Sequence, residues 1–195
     1  MANPNVGMMY PVFAPITTHT DGSMPTYGTG KVIQEARNAT VTRTYNDNPL
    51  YGDDRIVDDD NGLQSLTLSF ESTGLSDDDR KFLLGEEDYG TSGVSGQWVS
   101  DNETPWGGFG YIRKMRLNGT KSFEAWWTLK IKFQEETMTT STKEGSITWN
   151  TPTLNGRAAG LYVDSTDKQR FQLHKTFTAI ADAKAWLNAL AHITG

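Results

Sequence analysis

The chain has 195 residues, of which 24 are acidic and 18 basic, and it has a formal net charge of -6 and no cysteine. This length fits one domain, and the lack of cysteine excludes a disulfide scaffold, a thiolate metal site and a cysteine nucleophile. The acidic balance argues against a dedicated reader of DNA or RNA, which usually has a basic face. No run of about 18 apolar residues predicts a membrane span. The three histidines lie far apart in the sequence, and we expect neither a metal nor another cofactor.

Two stretches in the first third of the chain have the composition of arms. Residues 1–30 are rich in Gly, Pro, Thr and Asn, and they predict an extended N-terminal arm with one or two short strands. Residues 46–62 are polar and contain Asn48-Pro49 and Asn61-Gly62, and they predict a loop or an extended hairpin arm. Because a polar loop of this length inside a domain is usually functional, we expect an interaction element here.

The segments on either side of residues 46–62 alternate between apolar and polar residues. Residues 39–45 and 66–70 each predict a strand. Ser76 then opens a short helix that Gly85 can end, since the serine hydroxyl can cap free N–H groups and three aspartates follow it at the positive end of the helix dipole. This acidic cluster lacks the glycine and glutamate spacing of an EF-hand, so we interpret it as helix capping rather than as a calcium site.

The centre of the chain predicts a long β-hairpin. Residues 108–117 and 122–133 alternate, and Asn118-Gly119 between them is typical of a hairpin turn. One face of the second strand is apolar and consists of Phe123, Ala125, Trp127, Leu129, Ile131 and Phe133. The other face is polar apart from one indole and consists of Ser122, Glu124, Trp126, Thr128, Lys130 and Lys132. An aromatic ring on a polar face indicates that something covers that face, and a partner subunit is one candidate.

The last third of the chain predicts further strands at 146–151, 161–163 and 171–177, followed by an amphipathic helix over 179–192. The whole chain, residues 1–195, is therefore predicted to be one mainly β domain. We expect two packed antiparallel sheets in a sandwich-like or barrel-like arrangement, together with a short helix and the C-terminal helix.

Charge is unevenly distributed along the chain. Residues 53–88 hold twelve acids and three bases, whereas residues 113–132 hold six bases and one acid. Two solvated faces would explain this pattern. Head-to-tail association would explain it as well, because such a contact needs two different, complementary patches on one subunit and closes into rings or continues as a filament. Both interpretations remain open at the level of the sequence.

Two other classes of function are alternatives. One is a carbohydrate-binding β-sandwich, such as an adhesion module of a phage or a bacterium, in which Trp98, Trp106 or Trp126 stacks on a sugar. The other is a hydrolase that uses paired acids. Glu135 and Glu136 are adjacent, so on a strand they would point in opposite directions, whereas such a pair needs facing carboxylates.

Several blocks of the sequence, taken in order, resemble one protein family. LYGDDR at 50–55 is followed by an acidic stretch, the strand at 66–70, and a helix that ends on LLG at 83–85. WWTLKIKF at 126–133 and ITWNTPTLNG at 147–156 complete the order. Over about residues 45–156, the chain resembles the major tail protein, or tail tube protein, of phages with long non-contractile tails.

The resemblance implies a structural virion protein that is not an enzyme. Members of this family form hexameric rings that stack into a hollow tube, through which genomic DNA passes without specific binding. The implied partners are further copies of the chain, the tape measure protein that fills the tube during assembly, and the tail-end proteins, with no membrane insertion by this chain. The implied locations are the phage tail and, during assembly, the host cytoplasm.

The resemblance and the charge pattern together predict two groups of site residues. Contacts between subunits or rings are expected at Tyr51, Asp53, Asp54, Arg55, Asp58, Asp59, Asp60 and Trp126, and from the N-terminal arm. The lumen, or a polar sheet face, is expected at Glu124, Thr128, Lys130 and Lys132. A lumen that carried the two lysines unpaired would attract DNA phosphates. Either acids such as Glu124 neutralise the lysines, or this face points elsewhere.

Overall fold

The structure of the chain is a computed structural model, and it describes residues 5–33, 36–46, 49–53, 55–59, 62–91, 94–98, 103–117, 120–135, 151–164, 166 and 168–194. Within these residues the chain forms fifteen strands and two helices. The elements are β1 (Asn5–Thr18), β2 (Thr26–Tyr27), β3 (Lys31–Val32), β4 (Ala36–Tyr45), β5 (Pro49–Gly52), β6 (Arg55–Asp59), β7 (Leu63–Ser72), α1 (Asp77–Leu84), β8 (Glu87–Thr91), β9 (Val94–Trp98), β10 (Gly107–Leu117), β11 (Thr120–Glu135), β12 (Thr153–Ala158), β13 (Leu161–Tyr162), β14 (Gln169–Arg170), β15 (Gln172–Phe177) and α2 (Ile180–Leu190).

Nine strands form one antiparallel sheet. Its order is β2-β1-β10-β11-β12-β7-β4, with β15 paired to β11 and β3 paired to β1. The remaining strands form three two-stranded ribbons, β5–β6, β8–β9 and β13–β14. The prediction of a mainly β, antiparallel fold with a short helix and a C-terminal helix is confirmed. The sequence did not indicate the β8–β9 hairpin, and the strand predicted at 146–151 lies outside the described residues except for Thr151.

The N-terminal segment belongs to the sheet and is not an arm. β1 pairs with β10 from Asn5 to Pro15, and Phe13 within it is completely buried. A bulge between Met9 and Val12, where Tyr10 has a φ of 57°, accommodates a proline that would otherwise interrupt the strand. The prediction of an extended arm with one or two short strands over residues 1–30 is therefore wrong for β1, Asn5–Thr18, and residues 1–4 lie outside the described part of the chain.

The large sheet curls and encloses an inner core. β1 and β4 lie side by side although they are far apart in the hydrogen-bonded order of strands. The two layers expected from the sequence are thus two parts of one sheet. Both parts, together with α1, contribute buried side chains to the inner core, which consists of Phe13, Ile33, Leu66, Leu68, Phe70, Leu83, Phe109, Tyr111, Ile131, Phe133, Leu154, Ala158 and Phe171.

The helix α2 covers the outer side of the same sheet and forms an outer core with it. Ala183 and Leu187 of the helix are completely buried, as the amphipathic pattern predicts. The outer core consists of Val12, Ala14, Tyr27, Ile112, Ala125, Trp127, Leu129, Leu161, Ala183, Leu187 and Ala191. None of the helices in the described residues is long and apolar enough to cross a membrane.

Strand β11 contributes to both cores because its odd-numbered residues point to one side of the sheet in its first part and to the other side near its end. Its register against β10 shifts by one residue between Thr128, opposite Phe109, and Ile131, opposite Gly107. Trp127 therefore faces the outer core, while Ile131 faces the inner core. The prediction of one uninterrupted apolar face over residues 122–133 is wrong, since a bulge reverses which parity points inward.

Short-range interactions fix the ends of α1 as the sequence predicts. The Ser76 side chain accepts the N–H of Asp79 at 3.2 Å, and the Asp79 carboxylate accepts from the Ser76 N–H at 3.4 Å, which forms a capping box. Gly85 ends the helix with a left-handed φ of 73°. The buried Asp79 carboxylate also pairs with Lys31 Nζ at 2.8 Å, which links the helix to β3.

Candidate functional site

The segment predicted as a loop or hairpin arm is a hairpin that extends beyond the sheet. We call residues 45–63 the hairpin arm. β4 and β7 remain paired up to Tyr45 and Leu63, whereas β12 follows β7 only as far as Leu66. Asn46 N–H then donates to the Gly62 carbonyl at 2.8 Å, and β5 pairs with β6 in a ribbon of its own. At its turn, Asp53 adopts a φ of 50°, a left-handed conformation that aspartate tolerates better than most residues.

The hairpin arm exposes large apolar side chains. Tyr51 is 67% exposed, Val57 61% and Tyr45 53%. Of the residues predicted to make contacts between subunits, Asp53 and Arg55 are also exposed. Asp54 and Asp60 lie outside the described residues, and for Asp58 and Asp59 only the backbone, in β6, is described. A protruding strand pair with exposed aromatic and β-branched side chains is typical of a surface that binds another protein.

Trp126, predicted to lie on a covered face, contacts side chains of its own chain. Its indole N–H donates to Glu124 at 2.8 Å. The His174 ring stacks on the indole, with the centroids 4.5 Å apart and the planes 20° from parallel. The guanidinium carbons of Arg43 and Arg113 lie 5.6 and 5.9 Å from the ring centroid. Glu124 lies in β11 itself, whereas the other three partners come from β4, β10 and β15, and nothing in the local sequence of β11 indicates those three.

A polar network surrounds the indole. Glu124 lies 3.3 Å from His174 Nδ1 and 3.8 Å from the Arg113 guanidinium. Arg43 donates to Gln172 at 2.8 Å, and Gln172 donates to the Thr128 hydroxyl at 2.9 Å. The network holds Arg43 and Arg113 at the rim of one surface. Each guanidinium has five N–H donors, and Glu124 and Gln172 account for only a minority of them.

The same surface contains a cleft of about 280 Å³ between β1, β4, β10 and β11. We call it the arginine cleft; its lining residues are Met8, Ala39, Thr40, Val41, Arg43, Tyr111, Arg113 and Trp126. Tyr111 is largely buried, and this burial raises the pKa of its phenol. The tyrosine therefore stays neutral, and the cationic arginines set the charge of the rim. Such a cleft suits an apolar or aromatic body that carries an anionic group.

The four residues predicted to form a lumen or polar face do not share one face. Glu124 and Thr128 lie on the side of Trp126, and Thr128 is completely buried. Lys130 and Lys132 follow the bulge, and their ammonium groups lie 5.1 and 5.8 Å from the ring centroid of Trp106. The expectation of a continuous polar face is thus corrected by the bulge in β11. Whether the lysines face a lumen stays a prediction.

The two ends of the sheet differ in charge. Arg116 and Lys121 lie directly opposite each other next to the β10–β11 turn, and neither has an ion-pair partner among the described residues. The registers through β12 place the end of β7, followed by α1, at the other end of β11. Exposed acids of α1 and β8 lie there: Asp77, Asp78, Glu87 and Asp88. The hairpin arm leaves the sheet at the basic end.

The three tryptophans considered for sugar stacking have different surroundings. Trp126 and Trp106 are half-buried beneath the side chains described above. Trp98 is 54% exposed and makes an edge-to-face contact with Tyr89 at 4.8 Å. Within the described residues, no group of three or more His, Asp or Glu side chains is arranged to hold a metal ion.

No protein-family model matches the sequence, and no curated protein matches it either.

Proposed function

We propose that the chain is a structural virion protein that associates head to tail into stacked rings and so forms the tail tube of a phage. The observation that carries this proposal is the hairpin arm, which extends beyond the sheet and exposes Tyr45, Tyr51 and Val57. A monomer gains nothing from such an arm, whereas an assembly would bury these side chains. Burying an aromatic or β-branched side chain stabilises a contact by about 1.5–3 kcal/mol.

The charge distribution supports an assembly with direction. A basic pair lies at one end of the sheet, and exposed acids lie at the other end. The acidic hairpin arm leaves the sheet at the end that carries the basic pair, so one copy presents acidic and basic surfaces at different places, and contacts between unlike surfaces of two copies are favoured over contacts between like surfaces. Heterologous contacts are the kind from which rings and tubes are built.

The further partners follow from the same proposal. Copies of the chain form hexameric rings, the tape measure and tail-end proteins take part in assembly, and DNA passes through the finished tube. The chain catalyses no reaction in this role and binds no cofactor. The contacts of Lys130 and Lys132 with the Trp106 ring leave their positive charges in place, so a tube wall at this face needs acids from a neighbouring copy if it is not to retain DNA.

The proposal is tested by assembly of the purified protein. We expect sedimentation velocity to show association that increases with concentration, and negative-stain electron microscopy to show rings or hollow tubes. Replacing Tyr51→Asp together with Val57→Asp places charges on the apolar surface of the arm, and we expect this variant to remain monomeric with an unchanged thermal midpoint. Tyr162→Asp is the matched control, since Tyr162 is 39% exposed and lies in β13, outside the arm.

Two results would contradict the proposal. One is a wild-type protein that stays monomeric at every concentration, also in the presence of the tail-end proteins. The other is assembly by the Tyr51→Asp/Val57→Asp variant to the same extent as by the Tyr162→Asp control.

A carbohydrate-binding module is the second candidate, because Trp98 presents an exposed ring beside Tyr89. This candidate predicts a compact monomer that binds glycans on a glycan array and loses that binding in a Trp98→Ala variant. A glycan hit that Trp98→Ala leaves unchanged would exclude this site.

A further inference from the structure

The arginine cleft is open among the residues that the structure describes. Its lining combines the apolar and aromatic side chains of Met8, Val41, Tyr111 and Trp126 with the guanidinium groups of Arg43 and Arg113, and much of its accessible surface is polar. At about 280 Å³ it is just below the range of about 300–1,000 Å³ that is typical of small-molecule pockets. The cleft therefore fits one large side chain better than a cofactor-sized ligand.

The tip of the hairpin arm has the matching chemistry. Tyr51 is the most exposed of the large apolar side chains that the structure describes in the arm, and Asp53 follows it at the turn. Residues 51–60 contain five aspartates and one arginine, so the tip carries an excess of negative charge. An aromatic ring next to carboxylates is what a cleft lined by apolar and aromatic side chains and by guanidinium groups accepts.

We propose that the arginine cleft is the receptor for the hairpin arm of a second copy of the chain. Tyr51 of the incoming arm occupies the cleft, and Asp53 pairs with Arg43 and Arg113 at its rim. This inference rests on the proposed self-assembly and names the contact that drives it.

The contact has to form between two copies. Tyr51 is exposed in its own subunit, so the cleft of that subunit does not hold it. Arg43 lies in β4, at the root of the arm, and Tyr51 is eight residues further along the chain. Strands advance by about 3.3 Å per residue, so an extended arm carries its tip away from its own cleft and toward a neighbour. Because the donor and the receptor are different surfaces, each copy can give one arm and receive another.

The contact is tested by photo-crosslinking of the full chain. p-Benzoylphenylalanine replaces Tyr51, keeps an aromatic ring at the tip and reacts readily with methionine and aliphatic C–H groups. After irradiation, mass spectrometry should find intermolecular crosslinks to peptides that contain Met8 or Val41. The same probe at Tyr162, an exposed tyrosine outside the arm, should give none to these peptides.

A charge reversal at the rim adds a second readout. We expect Arg43→Glu to lower the yield of the Met8 and Val41 crosslinks at least tenfold. Lys168→Glu is the matched control, because Lys168 is an exposed cation that neither lines the cleft nor belongs to the charged ends of the sheet, and it should leave the yield unchanged. Circular dichroism spectra confirm that both variants are folded.

The outcomes separate this inference from the proposed function. If the wild type forms rings but the probe at residue 51 gives no more of these crosslinks than the probe at residue 162, the inference is wrong and the proposed function stands. If the crosslinks form without rings or tubes, the inference stands and the tube proposal fails. If neither rings nor crosslinks form, both are wrong.

Discussion

Tyr27 is held by burial and by one hydrogen bond that crosses the fold. Its ring packs edge-to-face on Trp127 at 5.2 Å, and its hydroxyl donates to the Leu129 carbonyl at 2.8 Å. Burial raises the pKa of Tyr27 from 10.0 to about 12. The folded state thus favours the neutral phenol, and the unfolded chain ionises first as the pH rises.

A pH dependence follows from this shift. The neutral Tyr27 phenol contributes its full stabilisation below pH 10, and this contribution is lost as the pH rises toward 12. The loss lowers the free energy of unfolding by about 2–3 kcal/mol. Urea unfolding at pH 9 and pH 11.5 measures this loss. The Tyr27→Phe variant should be about 1 kcal/mol less stable at pH 9 and should lose less stability between the two pH values. Equal losses in both proteins would contradict the assignment to Tyr27. The loss of stability would then come from another group such as Tyr111, whose pKa is also raised by burial.

At the residue scale, the sequence predicts what depends on near neighbours. The capping box of Ser76 and the left-handed Gly85 follow from residues only a few positions apart. The surroundings of Trp126 do not, because Arg43 and His174 reach it from other strands of the sheet. The sequence indicated only that this ring would be covered, and the cover includes side chains of the same subunit.

At the scale of the elements, the glycines of β10 allow the sheet to pack closely on both sides. A Cβ atom on Gly108 would overlap the Trp127 ring, and one on Gly110 would lie 2.6 Å from the same ring and 2.7 Å from Leu187. These positions need glycine for close approach and not for backbone conformation.

Substitution of Gly108 should therefore be costly. We expect Gly108→Ala to lower the free energy of unfolding by about 1–3 kcal/mol, because the added methyl forces Trp127 out of a buried position. Gly96→Ala in β9 is the control, since nothing lies within 4 Å of its added Cβ, and it should change stability by less than about 0.5 kcal/mol. Thermal or urea unfolding measures both variants. Equal effects would show that the overlap relaxes without cost.

The sequence predicts most of the strands because alternation is a local signal. It predicts the β10–β11 hairpin, whose register pairs Leu117 with Thr120, and it predicts α2. It fails for β1, whose prolines and glycines suggest an arm until a bulge accommodates them. It fails for the two faces of β11 for the same reason, since an extra residue in one strand is recognised only when its partner strand is known.

At the scale of the whole molecule, the charged ends and the arm predict an assembly that depends on salt. The Debye length falls from about 10 Å at 0.1 M salt to about 3 Å at 1 M. We expect the protein concentration needed for rings to rise at least tenfold over this range, measured by sedimentation velocity. An assembly that is unchanged or strengthened at 1 M salt would show that apolar contacts dominate. The uneven distribution of charge would then keep the protein soluble and would not direct its assembly.

The position of β1 in the sheet has a consequence for synthesis of the chain. β1 is made first, yet its partner β10 follows about 100 residues later, which takes roughly 5–20 s at common rates of translation. During that time the strand that contains Val12 and Phe13 has only the two-residue strands β2 and β3 as native partners, and its other edge is unpaired. Completion of the inner core thus waits for the second half of the chain, and the edge of β1 that pairs with β10 stays exposed for longer when translation is slower.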